Sequence, residues 1–213
     1  MSDELVFYTN PMSRGRIVRW MLEEVGRPYR TELLEFGPAM KVPAYRAINP
    51  MGKVPALRHG DVVVTECAAI CAYLADAFPA AGLAPPAGSP QRGPYYRWLF
   101  FAAGPVEAAA TNKALGLAIP AERQGTVGYG TLADVTDTLE QAVMQGPFLL
   151  GATFSAADVY LGAHIGWGMR FGTIEKRSAF EEYWSRLSDR PAAVRAREID
   201  DALLPPRPPP AAQ

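Results

Sequence analysis

The sequence has few of the residues that build metal centres or disulfide frameworks. Only two cysteines, Cys67 and Cys71, and two histidines, His59 and His164, occur among its 213 residues. The cysteines stand too close in sequence to link distant parts of the chain, and neither histidine has a second ligand near it. We therefore predict no metal site, interpret Cys71 as a core residue and His164 as a core residue whose hydrogen bonds are satisfied, and expect a reducing, cytoplasmic compartment.

An excess of charge of either sign is also missing. The chain has 21 Lys and Arg against 22 Asp and Glu, a formal net charge of -1. A chain with this charge balance has no excess positive charge to attract nucleic acid or an anionic membrane. No apolar stretch is long enough to span a bilayer, and the acidic start, Met-Ser-Asp-Glu, lacks the basic residues of a secretory signal. We predict neither a nucleic-acid partner nor a membrane partner.

The first 80 residues have the patterns of a small α/β domain. Short β-favouring runs alternate with segments whose apolar residues recur at helical spacing, and Gly26 provides a natural helix stop. The predicted elements are a strand over 5–9, a helix over 14–26, a strand over 29–34, a loop with a short helical piece over 36–49, an antiparallel hairpin at 56–58 and 62–64, and a helix from 65 or 66 to 78.

The composition changes after residue 80. Residues 81–94 are rich in Pro, Gly and Ala, as linkers are, and residues 95–203 show helical patterns only. Pro105 is expected to kink or split the first of these helices, and Ser155 with Asp158 forms a capping box at the start of a central one. Residues 204–213 form a Pro-rich tail that is expected to be extended.

The stretch Asn49-Pro-Met-Gly-Lys-Val-Pro-Ala-Leu joins turn residues to the start of a strand. Pro55 cannot donate to a strand ladder, so we predict a turn that leads into an edge strand. The Val54-Pro55 bond fits either a trans form at the edge or a cis form in a tight turn. A cis bond would leave the N–H and C=O of Val54 free to pair with an extended peptide.

Ser13 and Glu66 each stand at the start of a predicted helix, and each has two interpretations. Ser13 is either an N-cap or a hydroxyl directed at a ligand, where Arg14 and the helix N-terminus would favour a thiolate or another anion. Glu66 either complements the helix dipole or, with free helix N–H groups, binds the ammonium and carboxylate of an α-amino acid.

Taken together, these motifs resemble the glutathione transferase family over residues 5 to about 202. The matching segments are the Asn49 stretch, Thr65-Glu-Cys-Ala-Ala-Ile-Cys-Ala-Tyr-Leu, Gly146-Pro-Phe-Leu-Leu-Gly, Phe154-Ser-Ala-Ala-Asp-Val and Arg190-Pro-Ala. The resemblance implies an α/β thioredoxin-like N-terminal domain at residues 1–80, a linker at 81–94, an all-helical domain at 95–203 and a tail at 204–213, assembled as a homodimer.

The resemblance also implies a role for each candidate residue. Ser13 matches the catalytic serine of one branch of the family, which donates a hydrogen bond to the glutathione thiolate. The implied glutathione contacts are Arg14 beside the thiolate, the backbone of Val54 next to a cis Pro55, Lys53 at the glycyl carboxylate, and Glu66 with Cys67 at the γ-glutamyl end.

The expected activity is the attack of glutathione on small hydrophobic electrophiles or peroxides, in detoxification. Aromatic residues of the helical domain are expected to wall the electrophile site: Trp98, Phe101, Trp167 and Phe171. The chain has Cys67 where the family commonly has serine, and Arg14 where the cysteine branch places its nucleophile. A glutathione-dependent isomerase, a disulfide reductase and a non-catalytic binding module with the same fold are the alternatives.

Overall fold

Strand β1 (Leu5–Thr9) is an inner strand of the N-terminal sheet. The structure is a computed structural model that describes residues 3–205. Strand β1 pairs in parallel with β2 (Arg30–Leu33) and antiparallel with β3 (Ala56–His59), and β3 pairs antiparallel with β4 (Val62–Thr65). The resulting order is β2-β1-β3-β4. The predicted hairpin is thus present. Its first strand, β3, pairs on both sides, so the prediction of an edge strand after Pro55 was wrong: Pro55 lies just before the ladder and needs no N–H there.

The helices of this domain pack against the sheet and against each other. Helix α1 (Gly15–Val25) joins the parallel pair and ends at Gly26, whose φ of 70° is the left-handed conformation predicted for the stop. A short helix, α2 (Pro43–Arg46), precedes β3, and α3 (Cys67–Ala77) follows β4. A βαβ unit followed by a ββα unit is a thioredoxin-like arrangement, so the predicted fold class is confirmed.

The second half of the described chain contains helices and no extended strand. The helices are α4 (Arg92–Phe101), α5 (Glu107–Ala114), α6 (Leu132–Val143), α7 (Ala156–Phe171), α8 (Ser178–Ser188) and α9 (Pro191–Ala202). Helix α4 begins three residues before residue 95, inside the segment predicted as linker. Pro105 lies in a π-helical turn, Ala102–Val106, which joins α4 to α5 without a loop.

Helix α7 is the central helix of this domain, and Asp158 anchors its N-terminus. Asp158 Oδ1 accepts hydrogen bonds from the Leu149 N–H and the Tyr183 hydroxyl, both at 2.8 Å. Its Oδ2 accepts from the backbone N–H and the hydroxyl of Ser155, both at 2.9 Å. Burial raises the pKa of this carboxyl, while the four donors act in the opposite direction. The predicted capping box is therefore also a buried junction between α7, α8 and the preceding loop.

Two further predictions, on the Pro-rich tail and on membrane-spanning segments, can be compared only with the described residues. Most of the Pro-rich tail, residues 206–213, lies outside the described residues. Within residues 3–205, none of the helices has both the length and the hydropathy that crossing a bilayer requires.

Candidate active site

A cleft of about 890 Å³ lies between the two domains. Ser13, Arg14, Lys53 and Val54 line its wall on the N-terminal domain. The opposite wall includes two of the predicted aromatic residues, Trp167 and Phe171, both on α7. The tertiary structure thus gathers candidates that lie more than 100 residues apart in the chain.

The turn between β1 and α1 places Ser13 at the cleft. The Ser13 hydroxyl donates to the Asn10 carbonyl oxygen at 2.7 Å and accepts from the Gly15 N–H at 2.9 Å. Asn10 is fixed in turn by its side-chain amide, which donates to the Leu34 carbonyl at 2.8 Å. The hydroxyl therefore supports the first turn of α1 and also faces the cleft, so both interpretations of Ser13 are compatible with its position.

The loop before β3 holds Lys53 and Val54 in place through a single carbonyl. The Lys53 carbonyl oxygen accepts hydrogen bonds from the Tyr45 hydroxyl at 2.7 Å and from the Asn49 side-chain amide at 2.8 Å. The Val54-Pro55 peptide bond is cis. Among the described residues, no hydrogen bond uses the N–H or C=O of Val54, which is half-buried at the cleft. Both groups are available to an extended ligand.

Glu66 has an unusual backbone conformation immediately before α3. Its φ is 65° and its ψ is 121°, and it is the one residue other than glycine with a positive φ in the part of the chain described. A residue with a Cβ in such a region costs on the order of 1–3 kcal/mol, and such residues cluster where ligands are held. The Glu66 carbonyl accepts from the Ile70 N–H at 2.9 Å, so this conformation starts the helix while its side chain stays exposed.

Cys67 packs beneath the N-terminus of α1. Its thiol donates to the Arg14 carbonyl oxygen at 3.6 Å, and the residue is 8% exposed. Burial raises the pKa of this thiol well above its ordinary value, and the neighbouring Cys71 adds to the effect. Cys67 is accordingly a neutral, packed thiol. Cys71 is fully buried, as the core interpretation predicted.

An ion pair that no local sequence pattern predicts joins the two walls of the cleft. The Arg14 Nε donates to Glu107 Oε2 at 3.1 Å, and the same oxygen lies 3.5 Å from His164 Nδ1. Burial lowers the pKa of His164 to about 3, and the Arg14 charge acts in the same direction. The imidazole is thus neutral beside a carboxylate whose charge Arg14 already compensates.

His164 is buried, as predicted for a core residue, but its surroundings do not satisfy it. Its Nε2 has no hydrogen-bond partner among the described residues, whereas a core histidine was expected to be fully paired. A sequence signal for its position exists, because His164, Trp167 and Phe171 recur at i, i+3 and i+7 and so share one face of α7. Glu107 has no comparable local signal.

The other two predicted aromatic residues lie away from the cleft. Trp98 is buried, and its ring packs edge-to-face against Phe101 with centroids 5.8 Å apart. Trp98 borders a separate concavity of about 460 Å³, together with residues of α6 such as Thr138. In the described chain, no group of three or more His, Cys, Asp or Glu residues is placed to hold a metal ion.

The fold and the cleft define a protein with a thioredoxin-like domain and a helical domain that together line one cleft. A sequence model of the glutathione S-transferase N-terminal domain matches residues 12–77. Glutathione S-transferase GstA from Escherichia coli O157:H7 is 30% identical over 161 residues, which are 75% of this chain and 76% of GstA. This chain belongs to the glutathione S-transferase family.

Solved structures are similar over nearly the whole chain. A glutathione transferase from Methylococcus capsulatus strain Bath is 28% identical with a TM-score of 0.75, covering 93% of this chain and 99% of that one. A sphingomonad glutathione S-transferase complexed with glutathione is 26% identical with a TM-score of 0.74, covering 92% of this chain and 98% of that one. The similarity therefore includes both domains.

Proposed function

We propose that this protein is a glutathione transferase that activates the glutathione thiol for attack on small hydrophobic electrophiles or peroxides. One observation carries the proposal. A single cleft brings Ser13 and the unpaired backbone of Val54 opposite the rings of Trp167 and Phe171. Polar groups suited to a peptide thus face an apolar wall suited to an electrophile.

Glutathione would lie along the N-terminal wall. Its cysteinyl part would pair with the N–H and C=O of Val54 beside Pro55, as a strand adds to a sheet edge. Lys53 would meet the glycyl carboxylate. Glu66 would bind the γ-glutamyl end, and its strained backbone supports a ligand role there. Cys67, whose thiol is buried against the Arg14 carbonyl, would take part through its backbone alone. The glutathione complex of the sphingomonad relative supports the same ligand in this fold.

Ser13 would stabilise the thiolate by donating a hydrogen bond to the sulfur. Its proton is directed at the Asn10 carbonyl, so the hydroxyl must rotate, while its bond from the Gly15 N–H remains. A free thiol with a pKa near ~8.5 is only a few per cent ionised at neutral pH. Lowering that pKa by about two units requires roughly 2.7 kcal/mol, which the hydroxyl, the helix N-terminus and Arg14 would share. Because Glu107 pairs with Arg14, the hydroxyl and the helix N-terminus contribute most of this stabilisation.

The reaction then forms a bond between the glutathione sulfur and the electrophilic atom, whose leaving group departs with its electron pair. Trp167 and Phe171 would hold the electrophile. Trp98 and Phe101 do not reach the cleft and are left out of this wall. We further propose a cytoplasmic homodimer that acts in detoxification, and light scattering in line with size-exclusion chromatography would measure its mass.

Replacement of Ser13 tests the proposal. Ser13→Ala should lower kcat/KM for 1-chloro-2,4-dinitrobenzene at least about tenfold and move the pH profile upward by about one unit, the hydroxyl's share of the total lowering. Ser178→Ala, an exposed serine at the start of α8, is the matched control. An unchanged rate in Ser13→Ala would show that the role assigned to this residue is wrong.

Product analysis separates the proposed reaction from its alternatives. A transferase consumes glutathione into a conjugate, an isomerase regenerates it, and a disulfide reductase converts it to glutathione disulfide. Isothermal titration distinguishes the non-catalytic module, because that alternative predicts no measurable glutathione binding at millimolar concentration.

A further inference from the structure

The cleft is far more basic than the chain as a whole. Its lining includes four cationic side chains, Arg14, Arg16, Lys53 and Arg170, and one carboxylate, Glu107. The whole sequence has a formal net charge of -1. A concave, partly apolar surface concentrates the field of such charges, so the cleft should attract anions.

Two of the four cations already have partners. Arg14 pairs with Glu107 across the cleft, and Arg16 pairs with Asp201 of α9 at 2.7 Å.

Lys53 and Arg170 have no ion-pair partner within residues 3–205. Lys53 lies next to Val54 on the wall proposed for glutathione. Arg170 lies on the opposite wall, next to Phe171.

Arg170 is supported in a way that leaves its N–H groups accessible. The side chain is exposed, and its guanidinium lies over the Phe171 ring with its central carbon 5.7 Å from the centroid. A guanidinium stacked on an aromatic face can still donate through its planar edge to a carboxylate.

The position of Arg170 along α7 relates it to the proposed reaction centre. His164 marks the inner end of the cleft-facing stripe, since it approaches Glu107, which pairs with Arg14 next to Ser13. Arg170 is six residues further along α7, a rise of roughly 9 Å at 1.5 Å per residue, and about 120° round the helix, with Trp167 midway between the two. A small aromatic molecule that lies against Trp167 can therefore extend from the inner end of the cleft towards Arg170.

We propose that the electrophilic substrate is an organic anion whose carboxylate or similar acidic group binds to Arg170. Its apolar body lies against Trp167 and Phe171, and its reactive carbon lies towards Ser13. The assignment of this anion to the electrophile rests on the proposed function, because glutathione then uses Lys53 and leaves Arg170 unpaired.

A pair of electrophiles that differ only in charge tests the proposal. The pair is 4-chloro-3,5-dinitrobenzoate and its methyl ester. In both, the glutathione thiolate forms the C–S bond, the C–Cl bond breaks, chloride leaves with the electron pair, and the thiol proton passes to the buffer. Each rate is divided by the rate without enzyme, which removes the difference in intrinsic reactivity.

The wild-type protein should prefer the carboxylate over the ester at least about tenfold in kcat/KM. Arg170→Gln should remove most of that preference through KM for the carboxylate, and Arg170→Lys should keep part of it. Arg186→Gln, the same change at an exposed arginine of α8 outside the cleft lining, should retain the wild-type ratio. A ratio near one in the wild type, or an unchanged ratio in Arg170→Gln, would overturn the proposal.

A binding measurement without chemistry separates this inference from the proposed function. Isothermal titration compares 3,5-dinitrobenzoate with 3,5-dinitrobenzamide on the wild-type protein and on Arg170→Gln. Tighter binding of the anion that depends on Arg170, without turnover of either electrophile, would support the anion site and contradict the transferase activity. Turnover of both electrophiles with equal binding of the two ligands would support the transferase activity and contradict the anion site.

Discussion

The guanidinium of Arg19 and the carboxylate of Asp200 form an ion pair inside the protein, with Nε and Oδ1 2.7 Å apart and both side chains 1% exposed. The pair joins α1 to α9. Arg19 also donates to the Tyr29 hydroxyl at 3.1 Å and to Thr31 Oγ1 at 3.2 Å, and it lies over the Phe7 ring. One arginine therefore connects the sheet, the first helix and the last helix.

Breaking this pair from one side should be far more costly than replacing both partners. Asp200→Ala leaves the Arg19 charge buried without its partner, so we expect a loss of about 3–5 kcal/mol in the free energy of unfolding. Arg19→Met combined with Asp200→Leu removes both charges and should lose much less. Unfolding in urea measures both variants, and an equal loss in the single and double variants would contradict this account.

An exposed ion pair on the same helix is the matched control. Arg195 Nε lies 3.3 Å from Glu23 Oε2, and the arginine side chain is 53% exposed. Solvent screens such pairs, so Arg195→Met should change the free energy of unfolding by less than about 1 kcal/mol.

His164 should make the protein sensitive to acid. Its folded pKa of about 3 lies below the ordinary value of 6.5, so protons bind the unfolded chain first. The stabilisation is complete above pH 6.5 and is lost as the pH falls towards 3. Between pH 7 and pH 5 this residue alone should remove about 2 kcal/mol from the free energy of unfolding.

The variant His164→Gln tests this expectation because glutamine does not titrate. Urea unfolding at pH 7 and pH 5 should show a correspondingly smaller loss of stability in the variant than in the wild type. Equal losses in the two proteins would refute the assignment.

Glu66 should show opposed effects on stability and on ligand binding. Glu66→Gly removes strain of about 1–3 kcal/mol and adds about 0.5–1 kcal/mol of backbone entropy cost, so the variant should gain about 1 kcal/mol in stability. It should also bind glutathione at least about tenfold more weakly, because the carboxylate is lost. Glu66→Ala loses the carboxylate but keeps the strain, so it should weaken binding without gaining stability. Thermal unfolding and isothermal titration measure the two effects.

Gly15 should tolerate no side chain while Thr9 keeps its hydroxyl. A Cβ at residue 15 would lie 1.9 Å from Thr9 Oγ1 and 2.9 Å from Ser13 Oγ. Gly15→Ala should therefore cost about 1–3 kcal/mol and disturb the turn that holds Ser13. Thr9→Ala removes the nearer atom, so the double variant should recover part of the loss. Strict additivity of the two single changes in urea unfolding would rule out this contact.

Short-range patterns in the sequence were sufficient for most of the fold. Apolar spacing and Gly26 predicted α1 to within a residue at each end, and Ser155 with Asp158 marked the start of α7. These features depend on neighbours within about one helical turn, which sequence shows directly. The motifs around Asn49 and Glu66 likewise indicated the family, because the residues of each motif are consecutive in the chain.

Which residues of the helical domain line the cleft was decided by the tertiary structure alone. Trp98 and Trp167 both lie in apolar helical segments, and only the packing of α4 and α7 buries the first and brings the second to the cleft. Arg14 and Glu107 are 93 residues apart, so no local pattern relates them. Which face of a helix meets a cleft depends on how helices of two domains pack together, and that is a long-range property of the folded chain. The sequence by itself determined the family, the elements and the glutathione-side candidates. The folded structure decided which residues of the helical domain line the cleft.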